Sequence, residues 1–117
     1  MPRDPEKYLF DMLDSCRFLL RFTAGRTLDE YTRDRGFRSA VDRESQIIGE
    51  ALIQLNQLAP ETAQQISKYQ RIIGFRHVLV HAYDSLSHDL VWYVVERKLP
   101  AFQDEIQALL TEETTDP

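Results

Sequence analysis

The sequence predicts an all-α protein, an up-and-down bundle of five to six helices, and three observations lead to this prediction. Apolar residues recur three and four positions apart along most of the chain, which is the period of an amphipathic helix. Only four glycines and five prolines are present, too few for the many tight turns of a sandwich or barrel. No stretch shows the alternation of apolar and polar residues that is typical of a half-buried strand. At 117 residues, 43% of them hydrophobic, we expect a single domain over residues 1–117.

Two helix starts are marked near the beginning of the chain. Asp4 followed by Pro5 is typical of an N-cap with proline at the first helical position, and the helix behind it is expected to end near Gly25. Residues 27–30, Thr-Leu-Asp-Glu, have the pattern of a capping box, in which the threonine hydroxyl accepts the amide of the glutamate. They predict a short second helix, interrupted near Gly36.

Three further helices follow. A third helix, with an apolar stripe over residues 41–58, should end where a proline follows, because a residue before proline disfavours helical backbone. A fourth is expected over about residues 65–81 and is broken by the turn-forming residues 83–87. The last begins at Ser87, and Pro100 should kink it or split it in two.

The charges are unevenly distributed. The net charge of −5 and the pI near 5.1 argue against indiscriminate binding of nucleic acid, which favours basic proteins. Residues 17–43 and 62–83 nevertheless carry +3 each, whereas residues 84–117 carry −6. On charge alone, solvated helix faces are the favoured interpretation of this pattern.

The cellular compartment is indicated by the scarcity of cysteine and of long apolar runs. A single cysteine, Cys16, excludes an internal disulfide framework and fits the reducing cytoplasm. Residues 1–6 lack the apolar core of a signal peptide. No apolar run approaches the roughly 20 residues needed to cross a bilayer. We therefore expect a cytoplasmic protein that does not contact the membrane.

Polar residues suited to phosphate chemistry crowd the end of the apolar fourth helix. His77 and His81 are four residues apart and share a helix face, and Arg76 and Tyr83 are seven apart, about two turns. Arginine can hold a phosphate with two hydrogen bonds, and histidine can move a proton near neutral pH. Structural alternatives exist for each residue: a surface ion pair, a favourable charge at a helix C-terminus, and a core aromatic.

The same histidines have the spacing of metal ligands on a helix. Residue 78 is valine, however, so the glutamate base of a zincin motif is absent. The only other histidine is His88, and Cys16 is remote in sequence. A zinc site is therefore disfavoured, and we expect no metal and no cofactor.

The string Arg76-x4-His81-x-Tyr83 resembles the R-x4-H-x-Y signature of the HepT toxins, a branch of the HEPN superfamily of helical domains. At position 77 this chain has histidine where that family most often has asparagine. The similarity extends over nearly the whole chain in order and length. Its further segments are Ile48-Gly49-Glu50-Ala51, Ile73-Gly74-Phe75-Arg76, and Val91-Trp92 through Leu99-Pro100.

The resemblance implies a metal-independent ribonuclease that is the toxin of a toxin–antitoxin pair. It makes Arg76 and His81 the catalytic pair, acting on RNA. It makes Tyr83 the residue to which the MNT antitoxin, a small nucleotidyltransferase, adds AMP. HEPN toxins are typically dimers that bring two motifs together across a cleft, and a larger hetero-oligomer with the antitoxin is compatible with the family. The residues expected to support the site or bind RNA are His77, Arg71 and Asp84.

Two other classes remain open. The chain could be a non-catalytic helical partner of a nucleotidyltransferase, or the substrate-binding module of a two-chain nucleotidyl-transfer enzyme that acts on a small molecule. Tyr83 weighs against the second class, because it supplies a hydroxyl acceptor on the protein itself. A dimer would also concentrate the basic segments of two chains around one cleft, so the acidic total does not exclude an RNA substrate.

Overall fold

The computed structural model describes residues 4–81 and 87–115, with side chains up to residue 112. Within these ranges the chain forms seven helices and no strand, which confirms the all-α prediction. The helices exceed the predicted number because a four-residue helix follows Ala59. They are α1 (Pro5–Phe22), α2 (Leu28–Arg33), α3 (Arg35–Leu58), α4 (Pro60–Ala63), α5 (Tyr69–His81), α6 (His88–Arg97) and α7 (Leu99–Thr115).

The predicted helix starts are built by side-chain caps. The Asp4 carboxylate accepts a hydrogen bond from the Glu6 amide at 2.9 Å, directly before Pro5. The Thr27 hydroxyl oxygen accepts one from the Glu30 amide at 3.2 Å, as the capping-box pattern predicts. Such caps satisfy amides that have no partner within the helix, so each start is fixed locally by the sequence.

Two helix boundaries differ from the prediction. The break between α2 and α3 lies at Asp34, which has extended backbone and accepts a hydrogen bond from the Phe37 amide. Gly36 therefore lies in the first turn of α3 instead of interrupting the chain. The fourth predicted helix, α5, begins at Tyr69 and not near residue 65, because Lys68 adopts a left-handed φ of 57° that ends any helical run before it.

The core lies between α1, α3, α6 and α7. Helix α1 packs against α3 and α7, whereas α2 packs against α3 and α6. Burial raises the pKa of the Cys16 thiol in α1 to about 12, and its Sγ donates a hydrogen bond to the Leu99 carbonyl at 3.6 Å. Fully buried core side chains include Leu9, Met12, Leu13, Leu19, Leu52, Leu55, Val91, Val95 and Ile106.

Helix α5 is attached to this core mainly through α3. Leu79 is its one fully covered side chain, whereas Ile72, Ile73 and Phe75 are half-buried. The chain divides into α6 and α7 at Lys98, which agrees with the split predicted from Pro100. None of the helices in the described ranges is both long enough and apolar enough to cross a bilayer.

Candidate active site

The candidate residues of the Arg-x4-His motif lie on α5, and α3 determines how they are presented. One side of α5 faces α3 and carries Arg76. The other side is exposed over residues 70–71, 74, 77–78 and 81. The helix thus divides the motif between a face against α3 and a face open to solvent.

Arg76 is held against α3 by one carboxylate. Its Nη2 lies 3.7 Å from Glu50 Oε1, and the same oxygen accepts a hydrogen bond from Arg43 Nη1 at 3.2 Å. The Arg76 side chain is 26% exposed, and its buried Nε has no hydrogen-bond partner among the described residues. Two guanidinium groups therefore share one carboxylate, and Arg76 keeps donor capacity for a further anion.

The stem of Arg76 is packed directly on the backbone of α3. A Cβ atom built at Gly49 would lie 2.2 Å from Arg76 Cβ and 2.6 Å from its Cγ, distances that no side chain tolerates. Gly49 is itself buried. Glycine inside a helix ordinarily destabilises a protein by about 0.5–1 kcal/mol relative to alanine, so its presence here corresponds to a close approach of two helices.

His77 and His81 form an exposed pair, as their spacing predicts. Their ring centroids are 4.4 Å apart and the rings are tilted by 53°. His81 is five positions after Arg76 along the helix, which is a rotation of about 140° and a rise of about 7.5 Å. Within one chain the arginine therefore faces α3 while His81 faces solvent, and the structure does not place the two on one face.

The other predicted site residues are more distant or lie outside the described residues. Arg71 is exposed and borders an apolar groove of about 610 Å³ between α5 and the α6–α7 pair, whose rim also carries Lys68 and Lys98. Tyr83 and Asp84 lie outside the described residues. In the described part of the chain no group of three histidine, cysteine or carboxylate side chains is placed to hold a metal ion.

Sequence reasoning gave no role to Gly49 and Glu50. Their signals were a glycine in the middle of a long helix, followed by an acid, and their place in the Ile48-Gly49-Glu50-Ala51 segment that resembles the family. Sequence reasoning also missed a polar cluster at the start of α6, where the buried Tyr31 hydroxyl donates a hydrogen bond to Asp42 and the Tyr31 and His88 rings lie nearly perpendicular, with centroids 5.5 Å apart. Burial raises the pKa of both Tyr31 and Asp42. These contacts connect α2 and α3 with α6.

An all-α bundle that presents an arginine and two histidines on one helix, in an Arg-x4-His arrangement, defines a helical domain of the HEPN class. More specifically, the chain belongs to the family described as Ribonuclease HepT-like, whose model matches residues 12–109. This finding confirms the resemblance that the motif indicates.

Relatives match almost end to end. A candidate RNase of Methanocaldococcus jannaschii is 29% identical over 90% of this chain and 95% of its own length. A second candidate RNase of that organism is 30% identical over 94% of this chain and 91% of its own. The probable ribonuclease HepT of Thermococcus cleftensis is 25% identical over 93% and 98%. No solved structure gives a significant match.

The Tyr31–Asp42 hydrogen bond should contribute measurably to stability. Replacing Tyr31 with phenylalanine leaves a half-buried carboxylate without its donor, so we expect Tyr31→Phe to lower the free energy of unfolding by about 1–3 kcal/mol. Tyr93→Phe is the matched control: Tyr93 is 50% exposed, and the change should stay within about 0.5 kcal/mol. Urea unfolding followed by circular dichroism measures both, and equal losses in the two variants would contradict a specific role for the hydrogen bond.

Proposed function

We propose that this protein is a metal-independent endoribonuclease, the toxin of a toxin–antitoxin pair, with Arg76 and His81 as its catalytic residues. The proposal is carried by one observation: Arg76 is fixed against α3 with unsatisfied donor capacity, on the helix that exposes the His77–His81 pair. Membership of the HepT-like family supports the reaction class.

Arg76 is suited to hold the phosphate at which RNA is cleaved. During cleavage, negative charge builds up on the oxygens around phosphorus, and a fixed guanidinium stabilises it without needing to reorganise. The Nη groups of this side chain, which is 26% exposed, can donate hydrogen bonds to such oxygens.

His81 supplies the proton transfers. A base must take the proton of the ribose 2′-hydroxyl, whose oxygen then attacks phosphorus, and an acid must protonate the departing 5′-oxygen. One chain offers one motif histidine for these two roles. In our proposal His81 of one protomer is the base and His81 of the partner subunit is the acid, while His77 orients the neighbouring ring from 4.4 Å.

The exposed face of α5 is the surface through which two copies would meet. It carries both histidines, the 39% exposed Val78, and Gly74, beside which a side chain would find open space. Because Arg76 and His81 lie on different faces of α5, a second copy is what completes a site containing two histidines. A dimer of this kind brings two positively charged segments around one RNA strand.

Tyr83 is the proposed point of control. A nucleotidyltransferase antitoxin would transfer AMP from ATP to the Tyr83 hydroxyl, releasing pyrophosphate and forming a phosphodiester to the protein. The added group is anionic and bulky, so it would compete with the RNA phosphate for Arg76 by charge and by shape. Asp84 and Arg71 are the remaining candidates for contacts to RNA or to the antitoxin.

Replacing either catalytic residue should abolish cleavage without unfolding the protein. We expect Arg76→Ala and His81→Ala each to lower the rate of RNA cleavage by at least about 100-fold, because each removes a charge or a proton carrier from the transition state. The measurement is cleavage of labelled RNA by purified protein in a chelating buffer. Circular dichroism should show unchanged helical content.

Two matched controls accompany these variants. Arg33→Ala removes an arginine whose side chain is 79% exposed on α2, and His88→Ala removes a histidine from a different helix, so both should cleave at the wild-type rate. Wild-type cleavage by either Arg76→Ala or His81→Ala would refute the catalytic assignment. Absence of cleavage by the wild-type chain, in a preparation that still binds the antitoxin, would instead favour the non-catalytic helical partner.

The modification site can be tested separately. When a nucleotidyltransferase of the MNT type and ATP are supplied, wild-type protein should gain adenylyl mass and lose RNase activity, whereas Tyr83→Phe should gain no mass and stay active. Tyr93→Phe, which alters an exposed tyrosine on α6, should be modified like the wild type. Intact-protein mass spectrometry reads the result, and modification and silencing of Tyr83→Phe would show that another residue is the acceptor.

A further inference from the structure

We infer that Gly49 and Glu50 are positioning residues for Arg76: they place its guanidinium where the phosphate is held. This inference rests on the proposed function and adds to it two residues of α3 that carry no part of the Arg-x4-His motif. It arises from the contact between α3 and α5, which is the main contact of α5 with the other described helices.

Gly49 sets the position of the arginine stem. With no side chain at residue 49, the Arg76 Cβ and Cγ atoms occupy the space that an alanine methyl would need. An added methyl at 2.2 Å from Arg76 Cβ must push α5 outward, and the whole arginine would move with the helix. Gly36, in the first turn of the same helix, has a different environment, since its Cβ would meet only Asp34 Oδ1 at 3.5 Å.

Glu50 sets the direction of the guanidinium head. The 3.7 Å between its Oε1 and Arg76 Nη2 is an ion-pair distance that exceeds a hydrogen bond, so the head is oriented but not saturated. Arg43 donates its own hydrogen bond to that oxygen, which keeps the carboxylate in place and leaves the three side chains with a net charge of +1. The cluster therefore remains attractive to a phosphate.

A positioning role makes a distinct kinetic prediction. Glu50→Gln keeps the size of the side chain but removes its charge, so Arg76 loses orientation while the site becomes more positive. RNA should bind as tightly as before or more tightly, whereas kcat should fall roughly 10- to 100-fold, because a misplaced group lowers transition-state stabilisation more than ground-state binding. Gly49→Ala should lower kcat by a similar factor.

The experiment measures kcat and KM for cleavage of a labelled single-stranded RNA by Glu50→Gln and Gly49→Ala, together with their melting temperatures. Glu44→Gln and Gly36→Ala are the controls from the same helix, and both should match wild-type kcat. Because Gly49→Ala widens a packed contact and can unfold the domain, Glu50→Gln decides the question. A wild-type kcat for Glu50→Gln, or a rise in KM with kcat unchanged, overturns the inference.

The same kinetic assay separates this inference from the function on which it rests. Arg76→Ala is measured beside the α3 variants. If Arg76→Ala cleaves at the wild-type rate, the proposed function itself fails. If Arg76→Ala is inactive while Glu50→Gln cleaves normally, only the positioning role fails.

Discussion

The close approach of α3 and α5 at Gly49 and Arg76 is the constraint on which the candidate site depends. A residue with any side chain at position 49 would separate the helices, and α5 has few buried side chains with which to find another position. Because α5 is held along this one face, its opposite face stays exposed and presents His77 and His81 to solvent. The missing methyl group at Gly49 thus sets the position of the arginine stem and, with it, which face of α5 stays open to solvent.

The electrostatics of the site follow from the incomplete neutralisation of Arg76 by Glu50. A partly buried guanidinium with a buried donor that lacks a partner is costly, unless an anion supplies the missing hydrogen bonds. Glu50 offsets part of that cost but is shared with Arg43, so the chain keeps a local positive charge despite its net charge of −5. A buried donor without an acceptor is typical of residues that are kept for function at some expense of stability.

Local patterns predicted the fold well, whereas the site required knowledge of contacts between helices. The caps at Asp4 and Thr27 are local, so both helix starts were predictable, and the all-α class followed from periodicity. The break at Asp34 and the late start of α5 depend on the extended Asp34 and the left-handed Lys68, which the pattern did not reveal. The motif residues could be found by spacing and resemblance. The Glu50–Arg76 pair could not, because it joins residues 26 positions apart along the chain.

In the proposed mechanism two copies of α5 share one ribonuclease site, and both copies of His81 are required. Mixing wild-type and His81→Ala chains in varying ratios, after unfolding and refolding them together, tests this claim directly. RNase activity should follow the square of the wild-type fraction, so that an equal mixture retains about one quarter of the activity, since only dimers with two intact histidines cleave. Activity that falls linearly with the wild-type fraction would contradict it, because each chain would then act alone.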